Sequence, residues 1–176
     1  MVDVIFIDDN YLYQNFPLPK RMERAALLSI IQLEQYTSMQ DVIGTCLYEH
    51  MEAGVLGQTL TTDEQALFKI MKYLLAMYSS KAAITMLRSQ TANTKREEGV
   101  QDQFVLDTLL TNIDSKLGYI SKRLADFVMG NTELKAIVTS ESCTGDLWNE
   151  EEIYNSAVYY PSTGMVEDDC DSITNL

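Results

Sequence analysis

The fold of this chain is decided by residues 100–130, which read VQDQFVLDTLLTNIDSKLGYISKRLADFVMG. Apolar side chains recur here at alternating spacings of four and three residues, at Leu106, Leu110, Ile113, Leu117, Ile120, Leu124 and Phe127. Such a heptad seam keeps one face of a helix turned toward a partner helix. The predicted helix of residues 100–129 would be about 45 Å long, as long as a compact chain of this size is wide. We therefore expect part of the seam to contact a neighbouring subunit, and its seven residues are interface candidates.

The rest of residues 19–139 predicts further helices around this one. They are residues 20–36, residues 38–57 with Gly54 and Gly57 as a left-handed end, residues 62–89, and residues 132–138. Thr62 and Gln65 have the spacing of a capping box at the start of the third of these helices. That helix is apolar around much of its girth, so it should lie at the centre, and the polar residues 90–99 should form a loop. The sequence predicts a mainly α bundle of about four to five helices, in one domain of residues 19–139.

Both terminal segments lack a helical period. Residues 1–18 begin with a β-branched apolar run and end near Pro17, which predicts an extended N-terminal arm. Residues 140–176 predict an irregular, acidic C-terminal arm. Its aromatic residues Trp148, Tyr154, Tyr159 and Tyr160 are interface candidates, because aromatic side chains dominate the energetics of protein interfaces. The alternative left open is that this arm folds back on its own bundle.

The net charge of −13 is unevenly distributed. Residues 136–176 contain nine acidic residues and no lysine or arginine, whereas residues 1–135 contain all 13 basic residues and 17 acidic ones. A chain with this charge repels phosphates, so we expect no gripping of DNA, and a partner with a basic surface suits the acidic segment. No apolar run is long enough for a membrane span, and we expect no secretory signal at the start of the chain. The three cysteines lack close spacing, which argues against a disulfide framework or a cysteine zinc site.

Few residues have the pattern of a catalytic site. Asp8 and Asp9 follow an apolar run, like the Mg²⁺-binding acidic pair of response-regulator receiver domains, but no later strand with a phosphoacceptor aspartate is predicted. A short strand or arm followed by a turn is the better interpretation of this segment. His50 is the single histidine, so no pair of Glu-x-x-His motifs for a di-iron site exists. We expect no catalytic, cofactor or metal site, and no enzymatic activity.

The sequence predicts a first helix ending at LEQY (33–36), then DVIGTCLY (41–48), a glycine-containing turn, and a long central helix from Leu67 to Ala83. This pattern, from Pro19 to about Arg88, resembles the head–tail connector (neck ring) proteins of tailed bacteriophages, including those of crAss-like phages. The resemblance implies a structural virion protein, assembled in the host cytoplasm and located in the neck between capsid and tail. It also implies a ring, commonly of twelve copies, that docks on the portal protein and contacts other neck or tail proteins. DNA would pass through the channel of this ring without specific binding.

Two other functions stay open from the sequence alone. One is a small helical Mg²⁺-dependent nucleotide hydrolase that uses Glu49, Glu52, Asp63 and Glu64. The other is a helical regulator or chaperone that binds a basic partner through its acidic tail.

Overall fold

A computed structural model describes residues 4–16, 18, 22–92, 97–139 and 148, without the side chains of residues 90–92 and 97–103. The α-helices of this part are α1 (Asp9–Asn15), α2 (Arg24–Glu34), α3 (Gln40–Ile43), α4 (Thr45–Gly57), α5 (Thr62–Ala92), α6 (Glu97–Gly130) and α7 (Thr132–Val138). A π-helical turn, Gln35–Met39, joins α2 to α3. The described residues contain no strand, and the predicted mainly α bundle is confirmed.

The helices α5 and α6 form a long antiparallel hairpin at the centre of the molecule. Polar contacts fix its register: Lys81 Nζ lies 2.8 Å from Asp114 Oδ1, and Arg88 Nε lies 3.1 Å from Asp107 Oδ1. At about 1.5 Å per residue, the 31 residues of α5 and the 34 of α6 span roughly 46 and 51 Å. The helix α2 packs on another face of α5, so α5 contacts helices on several sides. This confirms the prediction that its wide apolar face lies at the centre.

The heptad seam of α6 packs within its own chain. Five of its residues are buried in the core, namely Leu106, Ile113, Leu117, Ile120 and Leu124. The other two, Leu110 and Phe127, are half-buried and pack against the same core. The expectation that part of the seam contacts a neighbouring subunit stays a prediction, and within the described chain only the half-buried Leu110 and Phe127 leave seam area for such a contact. A heptad pattern shows that a helix has a partner helix, but it does not show to which chain that partner belongs.

The N-terminal segment is not an extended arm. Residues 4–8 are non-helical, but residues 9–15 form α1, because Asp8 caps this helix by accepting a hydrogen bond from the backbone N–H of Tyr11 at 2.9 Å. Asp9 accepts a hydrogen bond from Arg24 Nε at 3.1 Å, which ties α1 to α2. The apolar side chains of the segment enter the core at Phe6, Ile7, Leu12, Phe16 and Leu18. The two aspartates thus have structural partners.

Two predicted helix boundaries differ from the structure. The first predicted helix does not end at Tyr36 but continues through the π-helical turn to Ile43, and the break comes at Gly44, whose φ of 78° favours glycine. The end of α4 is formed by Gln58 in the left-handed conformation, rather than by a glycine. Gly54 has a packing role instead, because a β-carbon there would collide with the side chain of Leu60. Within the described ranges, no helix combines the length and the apolar character that a bilayer crossing requires.

Candidate assembly surface

The acidic C-terminal segment is attached to the bundle through Trp148. The break at Gly44 leaves the carbonyl of Ile43 without a helical partner, since the last carbonyls of a helix have none. The indole Nε1 of Trp148 donates a hydrogen bond to this carbonyl at 2.7 Å, and the ring packs against the core. Trp148, predicted as an interface anchor, thus contacts its own chain. The other three aromatic candidates, Tyr154, Tyr159 and Tyr160, lie outside the described residues.

The N-terminal segment is held by the buried side chain of Gln35, at the start of the π-helical turn. Its Oε1 accepts a hydrogen bond from the backbone N–H of Phe6 at 2.9 Å. Its Nε2 donates to the carbonyl of Val4 at 2.6 Å and to the hydroxyl of Tyr48 at 2.9 Å. One amide therefore joins residues 4–6, the π-helical turn and α4. Sequence reasoning missed it because an isolated glutamine in an amphipathic helix is usually exposed.

Burial raises the pKa of the Tyr48 hydroxyl, and the charge of Glu52 and the proximity of Tyr36 add to this rise, while the hydrogen bond from Gln35 opposes it. The phenol is therefore neutral across the physiological pH range. A neutral hydroxyl can accept from Gln35 and still donate its own proton.

Several large apolar side chains remain exposed on the described surface. They are Ile5, Leu33, Tyr36, Leu56, Met86, Phe104, Val105 and Tyr119. Single exposed apolar residues are normal, so the informative feature is the most exposed of these side chains, Phe104, together with the next residue Val105. Phe104 and Val105 are 74 % and 55 % exposed and lie next to the buried Leu106, near the hairpin end where residues 93–96 join α5 to α6. We call Phe104 and Val105 the hairpin-end pair.

The hairpin-end pair has a signal in the sequence. Phe104, Val105 and Leu106 are consecutive, and successive residues of an α-helix point in directions about 100° apart. A seam that faces one partner helix can therefore bury only one or two of these three consecutive side chains. The heptad spacing includes Leu106 but neither Phe104 nor Val105.

Two of the four carboxylates considered for Mg²⁺, Asp63 and Glu64, have other partners. Glu64 closes a capping box with Thr61, because its Oε2 accepts from the backbone N–H of Thr61 at 2.7 Å and its own N–H donates to the hydroxyl of Thr61 at 3.3 Å. The capping box thus begins one residue before the predicted Thr62. Glu64 Oε1 is also bonded to His50 Nε2, and Asp63 Oδ2 accepts from Asn131 Nδ2 at 2.7 Å. In the described part of the chain, no three side chains of His, Cys, Asp or Glu form a group that could hold a metal ion.

The stability of the chain above about pH 4.5 should depend on the ionised Glu64 carboxylate. Burial alone would raise the pKa of this carboxyl, but its hydrogen bonds with His50 and Thr61 outweigh burial and lower the pKa below its usual 4.5. A lowered pKa in the folded state means that the contribution to stability is present above about 4.5 and is lost as the pH falls through the folded-state value. We expect Glu64→Gln to reduce the free energy of unfolding by about 1 kcal/mol at pH 7 and to have little effect near pH 3.

Urea denaturation at several pH values measures this difference. The matched control is Glu49→Gln, an exposed carboxylate on α4, which should change little at either pH. If Glu64→Gln reduced the free energy of unfolding as much at pH 3 as at pH 7, the lowered pKa of Glu64 would be contradicted.

Comparison of the chain with protein-family models, with curated proteins and with solved structures found no match.

Proposed function

We propose that this chain is a protomer of the head–tail connector ring of a tailed bacteriophage, which docks on the portal protein and lines the DNA channel. The support from sequence is the resemblance over residues 19–88. The observation that carries the proposal is the α5–α6 hairpin, a pair of helices about 50 Å long that presents exposed Phe104 and Val105 near one end. A stiff helical pair with an apolar end suits a wall segment that contacts a second protein.

The charge of the chain agrees with this role. A ring of chains with a net charge of −13 each repels the phosphates of the duplex, so DNA can slide through the channel without sticking. At physiological ionic strength the repulsion acts over roughly 8 Å, which is enough for a duplex that nearly fills a channel.

The hairpin-end pair is the proposed contact with a neighbouring subunit or with the portal protein. A phenylalanine that is 74 % exposed in the free chain has most of its apolar area available for burial in a partner. Large aromatic side chains near the centre of an interface contribute about 2–4 kcal/mol each when truncation to alanine is measured. We therefore expect Phe104 to be the strongest single contact of the described surface.

The test is the mass of the purified chain, alone and mixed with the portal protein of the same phage, by light scattering and native mass spectrometry. We expect a ring, of about twelve copies, on the portal. Phe104→Ala should weaken this association by about 30-fold, or about 2 kcal/mol, without a change in circular dichroism or thermal midpoint.

The matched control is Leu56→Ala on α4, which removes a 55 % exposed side chain away from the hairpin end and should leave assembly unchanged. A chain that stays monomeric with every virion partner, or an equal effect of both variants, would overturn the proposal.

A further inference from the structure

A cavity of about 280 Å³ lies between the end of α1, the middle of α5 and the middle of α6. Its inner wall is apolar and buried at Met77, Ile84 and Ile113, with Phe16 and Leu18 beside them. Asn15, Asn112 and Lys116 also line it and are exposed, so they mark its mouth. This volume lies just below the usual range for small-molecule pockets, roughly 300–1,000 Å³, and suits a single ring.

The cavity wall contains a buried hydroxyl without a partner. Ser80 lines the cavity and is fully buried, and its Oγ makes no hydrogen bond with any described residue. This oxygen is closed off from water, so it lies behind the cavity surface. The apolar wall and the polar mouth suit an occupant that has an apolar body and a polar end, which is the chemistry of a tyrosine side chain.

A basic strip runs along α6 from the mouth of the cavity. It consists of Lys116, Lys122 and Arg123, all exposed, together with Tyr119, which is 58 % exposed. Residues 115–125 contain no acidic side chain, and Asp126 is exposed one turn beyond Lys122 and Arg123. None of the three cations forms an ion pair with another described residue. In a chain with a net charge of −13, this is a local surface for an acidic ligand.

The acidic segment of the chain itself has the matching chemistry. Residues 149–176 contain seven acidic residues and no basic ones, in one cluster at 150–152 and another at 167–171, with Tyr159 and Tyr160 between the two clusters. The segment begins at Trp148, which is attached to Ile43. Eleven extended residues from Trp148 to Tyr159 can span about 36 Å, and the whole segment about 90 Å, against roughly 50 Å for the hairpin.

We propose that residues 149–176 dock on their own chain, with Tyr159 or Tyr160 in the cavity and the flanking carboxylates on the basic strip. The same chain is the favoured source because the attachment at Trp148 gives the segment a high effective concentration at a site within its reach. The tyrosine ring covers the apolar wall with its hydroxyl toward the polar mouth, and the carboxylates neutralise Lys116, Lys122 and Arg123. This inference goes beyond the proposed function and does not depend on it.

Hydrogen exchange of the full chain, followed by mass spectrometry, tests the docking. In the wild type, amides of residues 149–176 should exchange at least about tenfold more slowly than in an unstructured peptide, and high salt should reduce this protection because the carboxylate pairs are exposed. Lys116→Glu combined with Arg123→Glu should abolish the protection. Asn112→Trp, which fills the mouth from an exposed position, should release the residues around Tyr159 and Tyr160 as well.

The control is Lys69→Glu combined with Lys135→Glu, two exposed lysines outside the basic strip whose replacement changes the net charge equally. It should leave the protection unchanged. An unprotected segment in the wild type, or equal loss in both double variants, would overturn the proposal. Protection that disappears on dilution would show docking on a second copy and would overturn the choice of the same chain. If the chain did not assemble into a ring, the hydrogen-exchange test of docking would be unaffected. The connector proposal and the docking proposal can therefore fail independently.

Discussion

Replacing Gln35 by leucine is expected to lower the free energy of unfolding by about 2–5 kcal/mol, because it removes one hydrogen bond from each of three groups at once. The variant keeps the approximate volume of the side chain but cannot bond the N–H of Phe6, the carbonyl of Val4 or the hydroxyl of Tyr48. Gln35 is 1 % exposed, so water does not replace these hydrogen bonds without opening the structure. Urea denaturation measures the loss.

We also expect Gln35→Leu to loosen the segment around Phe6 before the whole chain unfolds. The backbone amide of Phe6 should exchange with solvent faster in Gln35→Leu than in the wild type, since its acceptor is gone. Gln32→Leu is the matched control, on the same helix three residues earlier, with a side chain that makes no hydrogen bond to a described residue. Equal destabilisation by the two variants would show that the amide network has no special role.

The column of residues around Gln35 shows why the sequence predicted the helix but not the network. Leu27, Ile31, Gln35, Met39 and Ile43 follow each other at intervals of four and are all buried. An α-helix turns about 40° too far in four residues, so such a column drifts off one face unless the helix is locally widened. The π-helical turn at residues 35–39 supplies this widening. A polar residue within an apolar column was the available signal for a buried glutamine.

The hairpin was predictable because its pattern is long. The seam of α6 and the wide apolar face of α5 each persist over many turns, and both helices and α7 appear close to their predicted limits. The helix α1 was not predictable from periodicity, because its 7 residues are stabilised by the cap from Asp8 and by the burial of Leu12. Short elements depend on tertiary contacts that a local pattern does not contain.

The candidate surfaces were the least predictable part. The aromatic residues of the C-terminal segment were selected by composition, and the structure shows only that Trp148 lies on its own bundle. The hairpin-end pair was hidden beside the seam, and the cavity between α1, α5 and α6 depends on a helix that the sequence did not predict. A site that lies between helices can be predicted only when the packing of those helices is known. A single sequence gives this packing only in outline.

Leu124→Ala decides whether the seam of α6 belongs to one chain or to two. Leu124 is fully buried in the core of the described chain, so its truncation should lower the free energy of unfolding by about 2–5 kcal/mol through lost burial and the resulting cavity. Because its neighbours come from the same chain, the denaturation midpoint should not depend on protein concentration. A seam shared by two subunits would instead give a midpoint that rises with concentration, since association then contributes to stability.

The measurement is chemical denaturation of wild type and variant over roughly a hundredfold range of protein concentration. Leu56→Ala is the control, because the same truncation at a 55 % exposed position should cost well under about 1 kcal/mol. A loss for Leu124→Ala that shrinks as the protein is diluted would return the seam to an interface between subunits. A loss of about 2–5 kcal/mol at every protein concentration would show that the seam belongs to a single chain. Assembly would then depend on the surface outside the seam, which includes Phe104 and Val105.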